Sequence, residues 1–465
     1  MCGIFGIIDL KGRRSVPLSV LKRSADAMQH RGPDEDGYLQ RPGVGFASRR
    51  LSIVGLSDGQ QPMFNEDKSV SVVFNGEIYD HDDWRRDLTA RGHTLKTHCD
   101  TEILPHMWEA HGEDMFEKLN GQFAVALFDE RKQQFILARD RFGICPLYWT
   151  RTTRFGNDWL IFGSEIKTLL ATGMIEPKPD RRGIDAVFNF LAVAGPFSCF
   201  DGINILQPGT FLKISRGRQG DAAAISEHAY WTMDFPDKGK EARGQDEKTL
   251  VNEFESVLYG AVKRRLRADV PVASYLSGGV DSSTVVAMAS DILGAPPATF
   301  TVKIRDPKLD ETEQAAVISR HLKADPTIVP CGSEEIVSNY QRLLVATEAP
   351  VTDTSCTALM LLAGKVHEKG FKVALTGEGS DEWFAGYPWY KIDRVLEWLG
   401  AISGGTIDAA IRKRFFAWLG CNKDAVAYLD RCAPSAGGAH PFQRFYDLLG
   451  ASRFRFYSGD MLGEL

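Results

Sequence analysis

The segment 277–283 has residues suited to binding a phosphate. It reads Ser-Gly-Gly-Val-Asp-Ser-Ser and follows an apolar run that predicts a β-strand at 270–276. Glycines let a backbone approach a ligand closely, and a loop that enters a helix points N–H groups and the positive helix end at one place. Asp281 could hold a divalent cation beside the phosphates. Walker A and dinucleotide-binding patterns are absent from the chain, and a purely structural turn capped by Asp and Ser is the alternative.

A second loop, 376–387, follows the apolar run 371–375 and carries three carboxylates within five residues: Glu378, Asp381 and Glu382. Such a group repels itself unless a cation is present. A helix N-terminus with favourable acidic residues is the alternative. Because ligands bind at the carboxyl ends of strands in open α/β sheets, we expect Asp381 to join Asp281 in holding Mg²⁺, with Glu378 facing the reacting centre.

Cys2 is a candidate nucleophile because of its position. Removal of Met1 would place an α-amine and a thiol on one residue, with ordinary pKa values of about 8 and about 8.5. The amine, directly or through a water, would then act as the base for the thiol. The other seven cysteines form no C-x-x-C pair, so we expect them to be buried thiols; they are at positions 99, 145, 199, 331, 356, 421 and 432.

The elements that must position these residues divide the chain in two. From residue 1 to 215, short β-rich runs outnumber helical patterns without regular alternation, which predicts an α+β layered domain. The predicted strands are 69–74, 122–128, 135–138 and 159–162, and the predicted helices are 17–29, 82–90 and 101–111.

Residues 216–248 are polar and weakly patterned, and we interpret them as a linker. After them, strands and helices alternate, which predicts an α/β domain over 249–465 with a parallel sheet covered on both faces. The predicted strands are 270–276, 299–304, 327–329 and 371–375, and the predicted helices are 249–267, 281–293 and 311–322.

Composition excludes several classes of protein. The 465 residues include 55 basic and 61 acidic ones, a net charge of −6, so nucleic acid and anionic membranes are not favoured as partners. No apolar run reaches the roughly 18–20 residues that span a bilayer, and the N-terminus lacks the pattern of a secretory signal. We therefore expect a soluble cytoplasmic protein, with a homodimer as an open option.

The string at 277–283 resembles the pyrophosphate loop of the ATP pyrophosphatases, which cleave ATP to AMP and pyrophosphate. The resemblance implies Mg²⁺ on Asp281 and Asp381. It also implies an ATP-binding set that combines this loop with neighbouring strand ends: Leu276, Ser277, Gly278, Gly279, Asp281, Ser282, Ser283, Val302, Thr376 and Gly377.

The N-terminal half carries an ordered set of motifs that resembles the class II glutamine amidotransferase domain, an αββα fold of the N-terminal nucleophile hydrolases. The motifs are Cys2-Gly3-Ile4-Phe5-Gly6, His30-Arg31-Gly32-Pro33-Asp34, Arg50-Leu51-Ser52-Ile53, Asn75-Gly76-Glu77-Ile78-Tyr79 and Cys99-Asp100-Thr101-Glu102. The resemblance implies that Cys2 attacks the amide of glutamine and that Asn75 and Gly76 form the oxyanion hole.

The same resemblance implies a glutamine-binding set. Arg50 would bind the α-carboxylate of glutamine, and Asp100 with the segment 76–77 would bind its α-ammonium. The full set is Arg50, Ile53, Asn75, Gly76, Glu77 and Asp100.

The order of the two halves resembles the glutamine-dependent asparagine synthetase family. This implies that ammonia from glutamine passes internally to β-aspartyl-AMP made from aspartate and ATP, with Glu378 as the proton acceptor. Residues 348–355 loosely match the acceptor-binding stretch of that family, and Cys145 and Trp383 depart from its pattern. Two alternatives stay open: an enzyme of the same mechanism that amidates another carboxylate, and a scaffold or regulatory protein with inactive sites.

Overall fold

The computed structural model describes residues 1–391 except 13, 194, 217–222, 238, 239, 241–243 and 389, together with 395, 414 and 457–464. Most of the predicted second domain beyond residue 391 therefore lies outside the described residues, as do Cys421 and Cys432. Four of the remaining cysteines predicted to be buried thiols are buried and free: Cys99, Cys145, Cys199 and Cys331. Cys356 is free but only half-buried, so the prediction is too strong for it.

The N-terminal domain begins with a six-stranded antiparallel sheet. Its strands are β1 (Gly3–Asp9), β2 (Glu35–Arg41), β3 (Val44–Arg50), β8 (Tyr148–Arg154), β9 (Asn157–Gly163) and β10 (Asn204–Ile205). They lie in the order β10-β8-β9-β1-β3-β2. Gly3 pairs with Arg49, so the register brings Cys2 to the end of β3, beside Arg50.

A second antiparallel sheet of six strands faces the first. Its strands are β4 (Met63–Phe64), β5 (Val70–Ile78), β6 (Gly121–Asp129), β7 (Gln134–Arg139), β11 (Thr210–Ser215) and β12 (Ala224–Ala229). They lie in the order β12-β11-β7-β6-β5-β4. Strands β6, β7 and β9 contain the predicted strands 122–128, 135–138 and 159–162, and β5 overlaps the predicted strand 69–74 but begins one residue later and extends to Ile78.

Six helices accompany these sheets: α1 (Leu18–Asp26), α2 (His81–Ala90), α3 (Ile103–His111), α4 (Met115–Lys118), α5 (Ile166–Leu170) and α6 (Arg181–Phe190). The predicted helix 101–111 begins as a 3₁₀ turn, Asp100–Glu102, before α3.

Three apolar cores define the layers. Residues such as Ile4 of β1 and Val73 of β5 fill the space between the sheets. The outer face of the first sheet packs on α1 and α5, and that of the second on α2, α3 and α4. The expected αββα architecture is therefore confirmed.

The strand β12 lies inside the segment 216–248 that the sequence predicts as a linker. Its residues pair with β11 from Thr210↔Ala229 to Ser215↔Ala224. The next residue, Tyr230, donates a hydrogen bond from its hydroxyl to the Arg139 carbonyl oxygen, at 2.7 Å. This part of the segment therefore belongs to the second sheet of the N-terminal domain rather than to a free connection.

The C-terminal domain is built on a four-stranded parallel sheet. Its strands are β13 (Val272–Tyr275), β14 (Ala298–Ile304), β15 (Thr327–Cys331) and β16 (Val373–Leu375), in the order β15-β14-β13-β16. Its helices are α7 (Glu247–Arg265), α8 (Val280–Leu293), α9 (Thr312–Leu322), α10 (Ser333–Thr347), α11 (Ser355–Glu368) and α12 (Ser380–Phe384).

Helices cover this sheet on both faces. Ala273 of β13 packs with residues of α11, whereas its neighbour Val272 packs with α7 and α8. Successive side chains of a strand point to opposite faces, so these two cores lie on opposite sides of the sheet. The expected α/β domain with a parallel sheet is confirmed. No helix of the described residues is long and apolar enough to cross a bilayer.

Candidate active sites

Cys2 lines a pocket at one end of the space between the two N-terminal sheets. The Leu51 amide donates to Cys2 Sγ at 3.4 Å, and the Arg31 Nε donates to the Cys2 carbonyl oxygen at 2.9 Å. Burial raises the pKa of the Cys2 thiol above its ordinary value, so a nearby base is needed to form the thiolate. Met1 also lines the pocket, and burial lowers the pKa of its amine.

The pocket gathers most of the residues predicted to bind glutamine. Those that line it are Cys2, Arg50, Ile53, Gly76, Glu77 and Asp100. The Arg50 guanidinium is 4% exposed, and its Nη1 lies 2.8 Å from Glu35 Oε2. Its Nη2 donates to the carbonyl oxygens of Val54 and Gly55, which fixes the orientation of the guanidinium plane.

Asn75 lies on β5, the strand that also carries Gly76 and Glu77, but it does not line the pocket. It is fully buried, and neither polar atom of its side chain has a hydrogen-bond partner among the described residues. Val73 packs between the sheets, and Asn75 follows it by two residues, so its side chain lies on the same face of β5. A side chain at Gly76 would lie 2.1 Å from the Gln122 carbonyl oxygen, which explains the glycine.

Glu77 and Asp100 place two carboxyl groups at the far wall of the pocket. Asp100 Oδ2 accepts from the Ile78 amide at 2.9 Å. Burial and the neighbouring Asp100 raise the pKa of Glu77 to about 8, although Arg265 and Arg267 act in the opposite direction. An ammonium group placed here would offset this repulsion, which fits the predicted site for the α-ammonium of glutamine.

Two residues that support this pocket, Gln61 and Glu165, were not assigned roles from the sequence. The side-chain amide of Gln61 accepts from the Phe74 amide at 2.7 Å and donates to the Phe74 carbonyl at 3.0 Å, so it holds β5 beside Asn75. Glu165 lies 3.2 Å from Arg31. Burial would raise the pKa of Glu165, but hydrogen bonding to His30 and the charges of Arg31 and Lys167 hold it at about 2.

No local pattern in the sequence marks Gln61 or Glu165. Each is a polar residue next to an apolar run. Along the chain, Gln61 is 13 residues from its partner Phe74, and Glu165 is 134 residues from its partner Arg31. Their partners are set by strand pairing, so only the folded chain identifies them.

A second site lies in the C-terminal domain, where the two strand-end loops line one cavity of about 480 Å³. The sequence-predicted residues that line it are Leu276, Ser277, Gly279, Asp281, Ser282, Val302, Thr376, Gly377, Glu378 and Asp381. Gly278 and Ser283 were also predicted to bind ATP, but neither lines this cavity. Gly278 has φ +87°, and a side chain there would lie 2.5 Å from the Ala315 amide nitrogen.

The glycine loop is held in shape by its own serines. The hydroxyl oxygens of Ser277 and Ser282 lie 3.0 Å apart, and the Gly279 amide donates to Ser277 Oγ at 3.2 Å. The loop then enters α8, so the N-terminus of a 14-residue helix points at the cavity. This arrangement suits an anionic phosphate.

Asp281 and Asp381 come together across the cavity from different loops. Burial, and then the charge of Asp381, raises the pKa of Asp281. Neither carboxylate has a salt-bridge partner among the residues described. Gly377 packs directly on Asp281, since a side chain there would lie 3.1 Å from the Asp281 carbonyl carbon. Two unpaired carboxylates that repel each other are a donor set that fits Mg²⁺.

The structure places Glu348 away from the acceptor-binding role that the loose match of 348–355 suggests. Its carboxylate accepts from the amides of Ile166 and Lys167, at 2.7 and 2.6 Å, at the start of α5 in the other domain. Ser355, at the far end of that stretch, does line the cavity. The stretch therefore joins the two domains at one end and borders the second site at the other.

Family models match both halves of the chain. A glutamine amidotransferase domain model matches residues 1–231, and an asparagine synthase model matches residues 253–439.

Several curated proteins are similar over most of the chain. Amidase chyE of Penicillium rubens is 34% identical over 85% of this chain and 61% of its own length. Asparagine synthetase 1 of Bacillus subtilis is 32% identical over 84% of this chain and 60% of its own length. A putative asparagine synthetase of Methanocaldococcus jannaschii is 30% identical over 83% of this chain and 76% of its own length. The chain thus spans about three fifths of the length of the first relatives that it matches.

Proposed function

The chain belongs to the glutamine-dependent asparagine synthetase family, and from this premise we propose that it is a glutamine-hydrolysing, ATP-dependent amide ligase. One arrangement carries the proposal. Two strand-end loops with unpaired Asp281 and Asp381 line a single cavity in the same chain as a buried thiol at Cys2. An enzyme with only one of the two reactions would need only one of these sites.

Glutamine hydrolysis uses the first pocket. The Cys2 thiol, once deprotonated by the amine freed on removal of Met1, attacks the side-chain amide carbon of glutamine. Asn75 Nδ2 and the Gly76 amide donate to the oxyanion, since the Asn75 amide has no other partner among the described residues. The amide nitrogen leaves as ammonia after taking the proton, and water hydrolyses the thioester to glutamate.

Carboxyl activation uses the second cavity. The acceptor carboxylate attacks the α-phosphorus of ATP, and pyrophosphate leaves as the acyl adenylate forms. Ammonia attacks the acyl carbon, AMP leaves, and Glu378 accepts the proton of the attacking nitrogen. Asp281 and Asp381 would hold Mg²⁺, which neutralises phosphate charge when bound.

The acceptor is aspartate in the leading form of the proposal, so that the product is asparagine. A relative named asparagine synthetase supports it, whereas a relative named an amidase, at 34% identity, supports an enzyme of the same mechanism that amidates a different carboxylate. Both forms need ammonia to pass between the domains without exposure to bulk water, because ammonia in neutral water becomes protonated and loses its nucleophilicity.

An acceptor screen distinguishes these forms. The purified chain is incubated with amide-labelled glutamine, ATP, Mg²⁺ and either aspartate or a panel of other carboxylates, and products are identified by mass spectrometry. Labelled asparagine with pyrophosphate release supports the leading form, and a labelled amide of another acid supports the second. If no ATP-dependent product carries the label, the proposed function is wrong.

Two substitutions test this division between the sites, with glutamine hydrolysis in the first pocket and ATP-dependent synthesis in the second cavity. We expect Cys2→Ala to abolish synthesis from glutamine and to retain synthesis from ammonium, because the thiol serves only the first pocket. We expect Asp281→Asn to abolish ATP-dependent synthesis from both nitrogen sources and to retain glutamine hydrolysis. Both activities are measured as glutamate release and amide formation. Equal loss of ammonium-dependent synthesis in Cys2→Ala would refute this division.

A further inference from the structure

A cluster of two histidines and two glutamates lies in the N-terminal domain outside both sites. Its members are Glu66, His93, His106 and Glu109, and one ligand atom from each lies within 4.8 Å of all the others. Glu66 follows β4, His93 lies in the connection after α2, and the other two project from one side of α3 at a spacing of three residues.

His106 supplies an independent sign that a ligand is missing from the cluster. Its side chain is 1% exposed, and its Nδ1 makes no hydrogen bond within the part of the chain that the structure describes. That atom nevertheless faces Glu66 Oε2 at 3.3 Å. A buried ring nitrogen without a hydrogen-bond partner is costly, by about 1–3 kcal/mol in general, unless something else occupies its lone pair.

The spacing of the ligand atoms matches a tetrahedral metal site. Zinc bonds of about 2.0–2.1 Å place tetrahedral ligand atoms about 3.4 Å apart. Here His106 Nδ1 lies 3.3 Å from Glu66 Oε2, and His93 Nδ1 lies 3.4 Å from Glu66 Oε1 and 3.9 Å from Glu109 Oε2.

The surroundings already orient the two carboxylates. The Thr94 amide donates to Glu66 Oε1 at 2.8 Å, and Asn65 Nδ2 donates to Glu109 Oε1 at 2.9 Å. The bond to Glu109 leaves its Oε2 facing His93. At Glu66, Oε2 faces His106, and Oε1, which accepts from Thr94, also lies near His93. Arg131 is the one nearby cation among the described residues, and it approaches Glu109 only at 4.0 Å.

The charge of the cluster also fits a cation. Glu66 and Glu109 bring two carboxylates together, and a ring nitrogen of each histidine can donate a lone pair to a metal. A divalent ion would balance the charge of the two carboxylates.

We propose that Glu66, His93, His106 and Glu109 bind a structural Zn²⁺ ion that ties the β4–β5 turn and the α2–α3 connection to α3. Imidazole and carboxylate ligands in tetrahedral spacing favour zinc over Mg²⁺ or Ca²⁺, which take six or more oxygen ligands. The α2–α3 connection continues to Asp100 at the wall of the glutamine pocket, so the ion would also stiffen that wall.

The test measures zinc binding by the full chain after EDTA treatment, by titration of ZnCl₂ against a chelating indicator and by metal analysis of the dialysed protein. We expect one tight site per chain and a higher melting temperature when zinc is added. We expect His93→Gln and Glu66→Gln to weaken that site by about 100-fold or more, since loss of even an outer partner of a metal ligand costs about 10–100-fold. These two residues are partly exposed, so the variants should fold even where His106→Gln does not.

The control variants separate this site from other zinc ligands in the chain. His321→Gln makes the same change at an exposed histidine of α9 and should leave binding unchanged. Cys2→Ala and Asp281→Asn remove groups of the two proposed active sites and should also retain it. Absence of a tight site in the wild type, or its loss in a control instead of in His93→Gln, would overturn the proposal.

Discussion

Among the described residues, Asn75 has two buried side-chain polar atoms without a hydrogen-bond partner, beside the pocket at the end of the space between the two N-terminal sheets. Asn75 and Glu77 lie on one face of β5, and Asp100 closes the pocket from the next segment. A buried polar group that stays unmatched costs about 1–3 kcal/mol, so an apolar ligand would not satisfy this pocket. In the proposed function, the side-chain amide of glutamine would bond Asn75, and its ammonium group would face Glu77 and Asp100.

Asn75→Ala tests the oxyanion hole. We expect kcat for glutamine hydrolysis to fall by about 10²–10³, the usual cost of losing one such donor, while ammonium-dependent synthesis stays unchanged. Steady-state glutamate release measures the effect, with Asn252→Ala on the exposed face of α7 as the matched control. A rise in KM alone would show that Asn75 binds glutamine rather than its transition state.

The raised pKa of Glu77 predicts that glutamine binding depends on pH. Its pKa of about 8 means that the carboxyl is protonated below that pH and ionised above it. The ammonium of glutamine binds the ionised form, so KM should fall as pH rises from about 6 to about 8, approaching tenfold per pH unit for one proton.

Glu77→Gln should remove this slope, because the amide does not titrate, and should keep KM high throughout. The exposed Glu117→Gln serves as the control, measured over the same pH range. An unchanged slope in Glu77→Gln would assign the titration to another group.

Among the elements, the short helix α12 contacts the first domain through aromatic rings. This helix follows the loop that lines the second cavity, the proposed ATP site, hereafter the ATP cavity. The rings of Trp383 and Phe142 meet edge to face, with centroids 5.7 Å apart. Phe142 lies in a rigid loop, since the Asp140 carboxylate accepts from the amides of Phe142, Ile144 and Cys145. Trp383, a residue that departs from the family pattern, therefore lies on the boundary between the domains that ammonia would cross in the proposed function.

Trp383→Ala should let ammonia escape between the sites. We expect the ratio of glutamate released to amide formed to rise severalfold, because glutamine hydrolysis continues while transfer leaks. Phe155→Ala, at an exposed turn of the first domain, is the control. An equal loss of ammonium-dependent synthesis would mean that Trp383 shapes the ATP cavity instead.

At the scale of the whole molecule, strands β13 and β16 connect the two sites end to end. Their carboxyl ends carry the loops of the ATP cavity. Before their amino ends, Asp269 bonds the backbone of Ile53 and Gly55, and Lys372 contacts Asp34 Oδ2 at 2.5 Å and the Ser52 carbonyl oxygen at 3.2 Å. The wall of the glutamine pocket at 51–55 is therefore held by the synthetase domain.

Lys372→Ala should loosen this wall. We expect KM for glutamine to rise about tenfold, equivalent to about 1.4 kcal/mol, with ammonium-dependent synthesis unchanged. Lys365→Ala, which removes a half-buried lysine of α11 paired with Glu368, is the matched control. An unchanged KM would show that the two sites do not communicate through this contact.

Periodicity and turn chemistry predicted the elements with strong local signals. The strands β5, β6 and β7, the four strands of the second domain and its helices α7, α8 and α9 were expected close to their observed bounds, whereas α10, α11 and α12 were not predicted. Strand β1 was not predicted, and it pairs with β9, far along the chain. Strands β2 and β3 were also missed, although they pair with each other in a local hairpin. The strand β12 was interpreted as part of a linker, since its exposed, polar residues gain order only by pairing with β11.

The sequence alone determined which residues are candidates for chemistry: the thiol at Cys2, the motif around Asn75, and the glycine and carboxylate loops, because those residue types occur there at spacings typical of such sites. Only the tertiary structure decided which groups meet. Asp281 and Asp381 share one cavity because parallel strands end at one edge of the sheet. Glu348 accepts a hydrogen bond from the Ile166 amide in the other domain instead of lining that cavity. Gln61 and the cluster around His106 emerge only after folding, since hydrogen bonds and metal ligands depend on distances in space and not along the chain.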